Sequence, residues 1–316
     1  MKAVCIHRYG GLDALSYQDL PRPVPAVDEL LIRVHAAGVN PVDWKTRTGS
    51  VPWKDQPDPF PLVMGWDLSG VVSEVAGGVR GYEAGDAVYG MIRFPKPAGT
   101  YAEYATAPQA HVLPKPHSVD FLEAAALPLV SLTAWQALFE AGGLEQGQTV
   151  LIHGAAGGVG HVAVQLAKAR GAIVIGTARG RDSAYLHGLG IDTHIDFETT
   201  RFEEVVGDVD LVLDTLGGEV QRRSWGVLRK DGILVSLRTA SDMQEQARAY
   251  GVRAARILVR PDAEHFSQIN KLVETGQLRP SIACVLPLHE AARAQEQIER
   301  GPTRGKLVLE VAAGEV

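Results

Sequence analysis

His153–Gly160 reads HGAAGGVG, preceded by the apolar run Thr149–Ile152 and followed by a helical pattern. Bare backbone at the end of a strand suits an anion. With no side chains in the way, backbone N–H groups approach it, and the N-terminus of the next helix adds partial positive charge. Downstream, Val159, Val162, Ala163, Leu166 and Ala167 recur at helical spacing. The stretch therefore predicts strand, turn and helix, the opening unit of a dinucleotide-binding domain. The glycine fingerprint of such domains is met in part: Ala155 holds its first position, and Gly157 and Gly160 hold the second and third. Gly158 adds another bare residue, so Ala156, Gly157 and Gly158 are the expected contacts.

The next strand end decides which dinucleotide. About 20 residues beyond the loop, NAD-binding chains place a carboxylate for the ribose 2′-hydroxyl. Here that position is Thr177, followed by Ala178 and Arg179; the next carboxylate, Asp182, is late and flanked by Arg181. With no repelling charge and with arginine at hand, the corner suits a 2′-phosphate, which predicts NADPH over NADH.

On both sides of the loop, apolar runs alternate with helical segments: Thr149–His153, Ala172–Thr177, Asp192–Asp196, Val209–Asp214, Gly232–Leu237 and Arg256–Arg260. Continuous runs each followed by a helix predict a doubly wound, six-stranded parallel Rossmann sheet covered on both faces. Upstream the texture differs. Short segments at Leu30–Val39, Leu68–Val75, Asp86–Ile92 and Thr100–Ala107, punctuated by Pro and Gly, predict an antiparallel, barrel-like domain. Helical texture starts near Ala124, where Pro128 must kink or restart the helix. After Pro261 the pattern is a helix (Glu264–Thr275), a strand (Ile282–Leu286), a helix (His289–Arg300) and a strand (Lys306–Val311). This tail leaves the parallel rhythm and is assigned to the first domain. The expected organisation is α/β, with domains at residues 1–123 plus 262–316 and 124–261.

At 316 residues, 46% hydrophobic and 22% charged, the chain is long enough for two cores. Its net charge of −6 and scattered Lys and Arg argue against a nucleic acid or an anionic membrane as partner. The N-terminus lacks the apolar core of a leader, and Leu122–Leu138 is broken by Glu123 and Pro128, which predicts a cytoplasmic chain without a membrane span. Cys5 and Cys284 read as small buried hydrophobes.

Several stretches together carry a resemblance: AAGVNPVDWKTRTG (Ala36–Gly49), GWDLSGVV (Gly65–Val72), GDAVYG (Gly85–Gly90), GTYAEYA (Gly99–Ala105), AALPLVSLTAWQAL (Ala125–Leu138), GQTVLIHGAAGGVGHVAVQLAKARGA (Gly147–Ala172) and RGKLVLEV (Arg304–Val311). In order and over the whole chain, it resembles the medium-chain dehydrogenase/reductase superfamily, in the zinc-free quinone oxidoreductase (zeta-crystallin-like) and enone reductase branch. The resemblance implies a GroES-like β-barrel catalytic domain beside the Rossmann domain, an active site in the cleft, and a homodimer joined through the Rossmann edge strand, taken as Gly232–Leu237.

It also implies where a metal would bind. The family's alcohol dehydrogenases have a cysteine ligand at the position of Asn40 and a histidine at that of Trp66, and neither present residue replaces them at a tetrahedral zinc. No metal is expected. Without a Lewis acid, hydride must go to a carbon that is already electron-poor, in a quinone or an α,β-unsaturated carbonyl, whose conjugation carries the charge to oxygen. By resemblance, Asn40 sits by the nicotinamide ribose or the substrate carbonyl, Asp43 braces the loop, and Lys45 stands where relatives carry a Tyr or Lys proton donor. The segment after Gly49 lacks a tyrosine that some relatives present, which leaves the donor open. Trp53 and Trp66 would shape an aromatic pocket. Further cofactor contacts carried over are Thr133 to the carboxamide, Val159 behind the ring, Phe197 near the adenine, Leu216, Ser236 and Leu237 at strand ends, and Lys306. Asp214 reads as a strand-end cap. An enoyl-thioester reductase and a non-catalytic, crystallin-type NADPH-binding protein stay open as alternatives.

Overall fold

The computed structural model describes residues 1–50, 60–238, 240–301 and 303–311. They fall into two compact units. Unit 1 takes the chain up to Leu129, Arg260–Thr275 and the part from Pro280 onward; unit 2 takes Val130–Val259 and Gly276–Arg279.

In chain order, unit 1 begins with β1 (Lys2–Ile6), β2 (Leu15–Asp19), β3 (Glu29–Val39), helix α1 (Pro41–Arg47), β4 (Leu62–Val63), β5 (Asp67–Val75), β6 (Ala87–Met91), β7 (Tyr104–Pro108), β8 (Val112–Pro114) and α2 (Phe121–Ala125). Helix α3 (Pro128–Trp135) starts on Pro128, where a missing N–H costs nothing, and a π-helical turn, Gln136–Ala141, follows it. Unit 2 continues with β9 (Thr149–His153), α4 (Gly158–Ala169), β10 (Ile173–Ala178), α5 (Ser183–Gly188), β11 (Thr193–Asp196), β12 (Val209–Asp214), α6 (Gly218–Ser224), β13 (Leu228–Ser236), α7 (Met243–Tyr250) and β14 (Arg253–Arg256). The chain then returns to unit 1 with α8 (Ala263–Glu274), β15 (Ile282–Pro287), α9 (Ala291–Arg300) and β16 (Lys306–Glu310).

Unit 1 has a small sheet, β2-β1-β4, and a seven-stranded one, β15-β16-β3-β5-β6-β8 with β7 also on β3. β3 organises the larger sheet because it is buried along nearly its whole length. One of its edges pairs with β5, while the other is shared by β7 at Glu29–Arg33 and β16 at Ala36–Val39. Unit 2 is a single parallel sheet in the order β11-β10-β9-β12-β13-β14. Val150, Leu151, Ile152, Val174, Leu211, Val212, Leu213, Leu234 and Val235 in it are at most 1% exposed. Each such side chain contributes roughly 1.5–3 kcal/mol by leaving water, which is why these strands are uninterrupted apolar runs. The order reverses between β9 and β12, the switch point at whose strand ends nucleotides bind in such sheets.

Four expectations need correction. Gly232–Leu237 is not the edge of the sheet: it belongs to β13, and β14 lies outside it. The sixth strand is Arg253–Arg256 rather than Arg256–Arg260. The tail keeps one parallel pair, β15 with β16, joined through α9. Cys5 is buried as expected, but Cys284 on β15 is partly exposed. Among the described residues no helix is long and apolar enough to cross a membrane.

Candidate active site

In unit 2, the glycine loop follows from steric necessity. Gly154 has φ +67°, the left-handed region, and its carbonyl accepts from the Gly157 N–H at 2.9 Å. A Cβ on Gly160 would lie 2.1 Å from the Gly154 oxygen and 2.7 Å from Cα of Ala155. Only glycine lets α4 approach the end of β9 this closely. Gly157 is the N-cap of α4, with Gly158 its first residue and Val159 half-buried behind it, while Ala156 is nearly covered. Bare N–H groups and a 12-residue helix ending here fit a pyrophosphate.

The other expected contacts of unit 2 mark strand ends. Thr177 closes β10, and its hydroxyl pairs with Nδ1 of buried His153 at 3.0 Å. His153 Nε2 meets the Ser224 hydroxyl at 2.9 Å, and burial pushes the imidazole down to about 4, so it is neutral at pH 7. Arg179 stands 3.6 Å from Glu198, and Phe197 beside it is 52% exposed. Asp214 ends β12 and gathers the neighbouring turns. Its Oδ1 accepts from the N–H groups of Leu216 and Gly217 at 3.0 and 2.7 Å, and its Oδ2 accepts from Gln221 and Ser236 at 2.8 and 2.7 Å. Its carbonyl accepts from Leu237 N–H. Leu216 itself is largely exposed, and Thr133 is buried on α3.

In unit 1 the structure brings Asn40, Asp43 and Lys306 together. Asn40 precedes Pro41, which starts α1, and the Asp43 carboxylate reaches back to accept from the Asn40 N–H at 2.6 Å. The same Oδ2 accepts from the Tyr101 hydroxyl at 2.6 Å, while Oδ1 has no partner. Burial pushes this carboxyl up to about 7. Lys306, from the start of β16, is 3% exposed and donates to the Val39 carbonyl at 2.8 Å and to Asn40 Oδ1 at 2.5 Å. Its ammonium is 3.7 Å from Asp67, which accepts from Asn40 Nδ2 at 2.8 Å and from the Leu129 N–H at 2.9 Å. Burial raises Asp67 to about 6 and lowers Lys306. The two form an internal ion pair that fixes which way the Asn40 amide points.

Other expected residues of unit 1 stand apart from this network. Lys45 is half-buried on α1, its ammonium 5.8 Å from the centroid of the Trp44 ring. Trp66 is buried, donating to the Lys96 carbonyl at 2.8 Å and packing edge-on against Phe94. Trp53 lies outside the described residues. Asp67, Tyr101 and His153 were not foreseen as parts of a site. The signal for Asp67 and His153 was a polar residue at the end of an apolar strand, which burial tolerates only with partners.

The comparisons with known proteins agree with both units. Residues 26–117 match the family described as alcohol dehydrogenase GroES-like domain, and residues 189–309 that described as zinc-binding dehydrogenase. The chain is 34% identical to a 2-methylene-furan-3-one reductase from Solanum lycopersicum, over 98% of this chain and 79% of the relative. Among solved structures, the quinone oxidoreductase from Coxiella burnetii is 38% identical with a TM-score of 0.93, covering 99% of both chains. That of Escherichia coli, complexed with NADPH, is 26% identical with a TM-score of 0.88, covering 98% of this chain and all of the other.

Proposed function

Because the chain belongs to the medium-chain dehydrogenase/reductase superfamily, in its zinc-free quinone oxidoreductase branch, we propose that it uses NADPH to reduce quinones or carbon–carbon double bonds conjugated to a carbonyl. One observation carries the reading: the donor set at the positions where zinc-dependent relatives bind their metal. The Asn40 amide is engaged by Lys306 and Asp67, and the Trp66 indole N–H by the Lys96 carbonyl. An amide and an indole do not fit a tetrahedral zinc. An acceptor that carries its own electron-withdrawing conjugation needs none.

When bound, NADPH supplies the hydride. Gly157, Gly158 and the start of α4 hold its pyrophosphate, with Ala156 and Val159 beside them. Arg179 takes the 2′-phosphate next to Thr177, and Phe197, Leu216, Ser236, Leu237 and Thr133 line the rest of its length. The NADPH complex of the E. coli neighbour supports this choice. Asn40, oriented by Lys306 and Asp67, is read as the donor to the substrate carbonyl; Asp43 holds α1 in place, and Lys45 holds the proton for the reduced acceptor. Trp66 is the aromatic side chain we assign to the side that receives a flat substrate. We read the protein as a cytoplasmic homodimer whose dinucleotide-binding domain, 124–261, meets its copy along β14.

NADPH consumption against benzoquinones, alkyl enones, 2-enals and enoyl thioesters tests this. Quinones or enones should turn over, and Lys45→Ala should lower kcat by about 100-fold, the lower range for a general acid. Turnover of thioesters alone would select the enoyl-thioester activity. Tight NADPH binding without turnover of any substrate would leave only a binding protein. Zinc-dependent oxidation of saturated alcohols would overturn the reading.

A further inference from the structure

The corner assigned to the ribose 2′ position carries a carboxylate that local sequence does not place there. Strands β10 and β11 run parallel, with Ala178 opposite Asp196, and the Phe197 N–H donates to the Ala178 carbonyl at 3.2 Å. This register brings the turn after β11 against the turn after β10. A Cβ on Gly180 would lie 2.5 Å from Asp196 Oδ2, so that carboxylate rests on the Gly180 backbone. Asp196 Oδ1 accepts from the Glu198 N–H at 3.0 Å, and Glu198 in turn reaches Arg179, with Oε1 3.6 Å from Nε. Both partners are partly solvated, at 33% and 56% side-chain exposure, so the pair is open to exchange.

The chemistry of the two dinucleotides differs at this spot alone. A 2′-phosphate needs donors, and it meets one guanidinium already faced by Glu198, with Asp196 nearby. A 2′-hydroxyl needs an acceptor, and a carboxylate is what usually supplies it. The corner holds both kinds of group in one pair. A guanidinium has five N–H donors, so Arg179 can turn from carboxylate to phosphate without losing its charge partner altogether.

We propose that Glu198, reaching across from the turn after β11, is a specificity-determining residue: it holds Arg179 when a 2′-hydroxyl is bound, yields it to a 2′-phosphate, and thereby keeps NADH usable beside NADPH. This rests on the nicotinamide reading above and deepens it. Glu198 restrains the preference for NADPH that Arg179 creates. Removing its charge frees Arg179 and deletes a like charge beside the phosphate.

The test is fluorescence titration of the full chain with NADPH and with NADH, for the wild type, Glu198→Gln, Arg179→Ala and the double variant. Wild type should bind both. Glu198→Gln should tighten NADPH about 3- to 10-fold, the scale of one exposed ion pair plus one removed repulsion, and leave NADH unchanged or weaker. Arg179→Ala should weaken NADPH alone, and in that background Glu198→Gln should tighten NADPH by a clearly smaller factor, since only the repulsion is left to remove. Both dinucleotides binding with a ratio that Glu198→Gln does not shift would overturn the selector and leave the nicotinamide reading standing. A shift of undiminished size without Arg179 would overturn it too, since the pairing would then be irrelevant. Failure of the wild type to bind either dinucleotide would instead overturn the parent reading, and the selector with it.

Discussion

Lys306 lies inside unit 1, where an unpaired ammonium would cost several kcal/mol, and Asp67, Asn40 and the Val39 carbonyl surround it with acceptors. Asp43 is the less satisfied neighbour, a buried carboxyl with one oxygen unpartnered. Its value of about 7 against 3.8 for the free side chain means that, between about pH 4 and 7, the folded chain keeps a proton the unfolded chain has released. Its contribution to stability therefore falls as pH rises through that window. Asp43→Asn removes the titration and keeps an oxygen for the Asn40 N–H and the Tyr101 hydroxyl. The Tm of the variant relative to wild type should thus rise from pH 5 to pH 8; comparing the two proteins cancels the opposing titration of His153. A constant difference would show that Asp43 does not titrate there. Part of this network was legible in NPVDWK, because Asn before Pro with Asp at the third helical position is a local capping pattern. The partners Asp67, Tyr101 and Lys306 come from stretches far away in sequence, and no local spacing announces such contacts.

Among the elements, α4 depends on the absence of one side chain. Gly160→Ala puts a methyl group into the space of Gly154 and Ala155, and backbone cannot swing aside as a side chain would. The helix start must back away from β9, at a cost of about 1–3 kcal/mol. NADPH should bind at least about 10-fold more weakly, a modest share of what the loop contributes. Gly188→Ala, at the end of α5 with no atom within 4 Å, is the control and should be neutral. Equal effects would deny the close-approach argument. The loop and the inner strands β9, β10, β12 and β13 were legible because each carries an apolar run that is largely buried on both faces. The edge was not, since β14 reads RAAR with two exposed arginines, and the apolar Ile257–Val259 just after it imitates a strand. A one-sided, half-exposed strand leaves no apolar run to read.

For the whole molecule, the homodimer proposed above sets the same strand against its copy. An antiparallel pairing of β14 with its copy about an axis between Ala254 and Ala255 sets Arg253 opposite Arg256. Like charges directly across a strand pair are destabilising, and salt screens them. Light scattering should give two chains at 0.5 M salt and a shift toward one chain at about 20 mM, and Arg256→Ser should abolish that dependence. Association that strengthens as salt is withdrawn would place the interface elsewhere. The parallel pair of β15 and β16 was not legible in the tail, because one βαβ step is too short to set a rhythm. That late pair has a biosynthetic consequence. The inner strand that completes the large sheet, and the lysine that neutralises Asp67, leave the ribosome 267 residues after Val39, to whose carbonyl that lysine bonds. Val130–Val259, which holds the whole inserted sheet, is contiguous and can close while translation continues; the first unit must wait, with its acidic interior and the Ala36–Val39 edge of β3 uncovered. A stalled or truncated nascent chain should therefore engage chaperones through the segment made first.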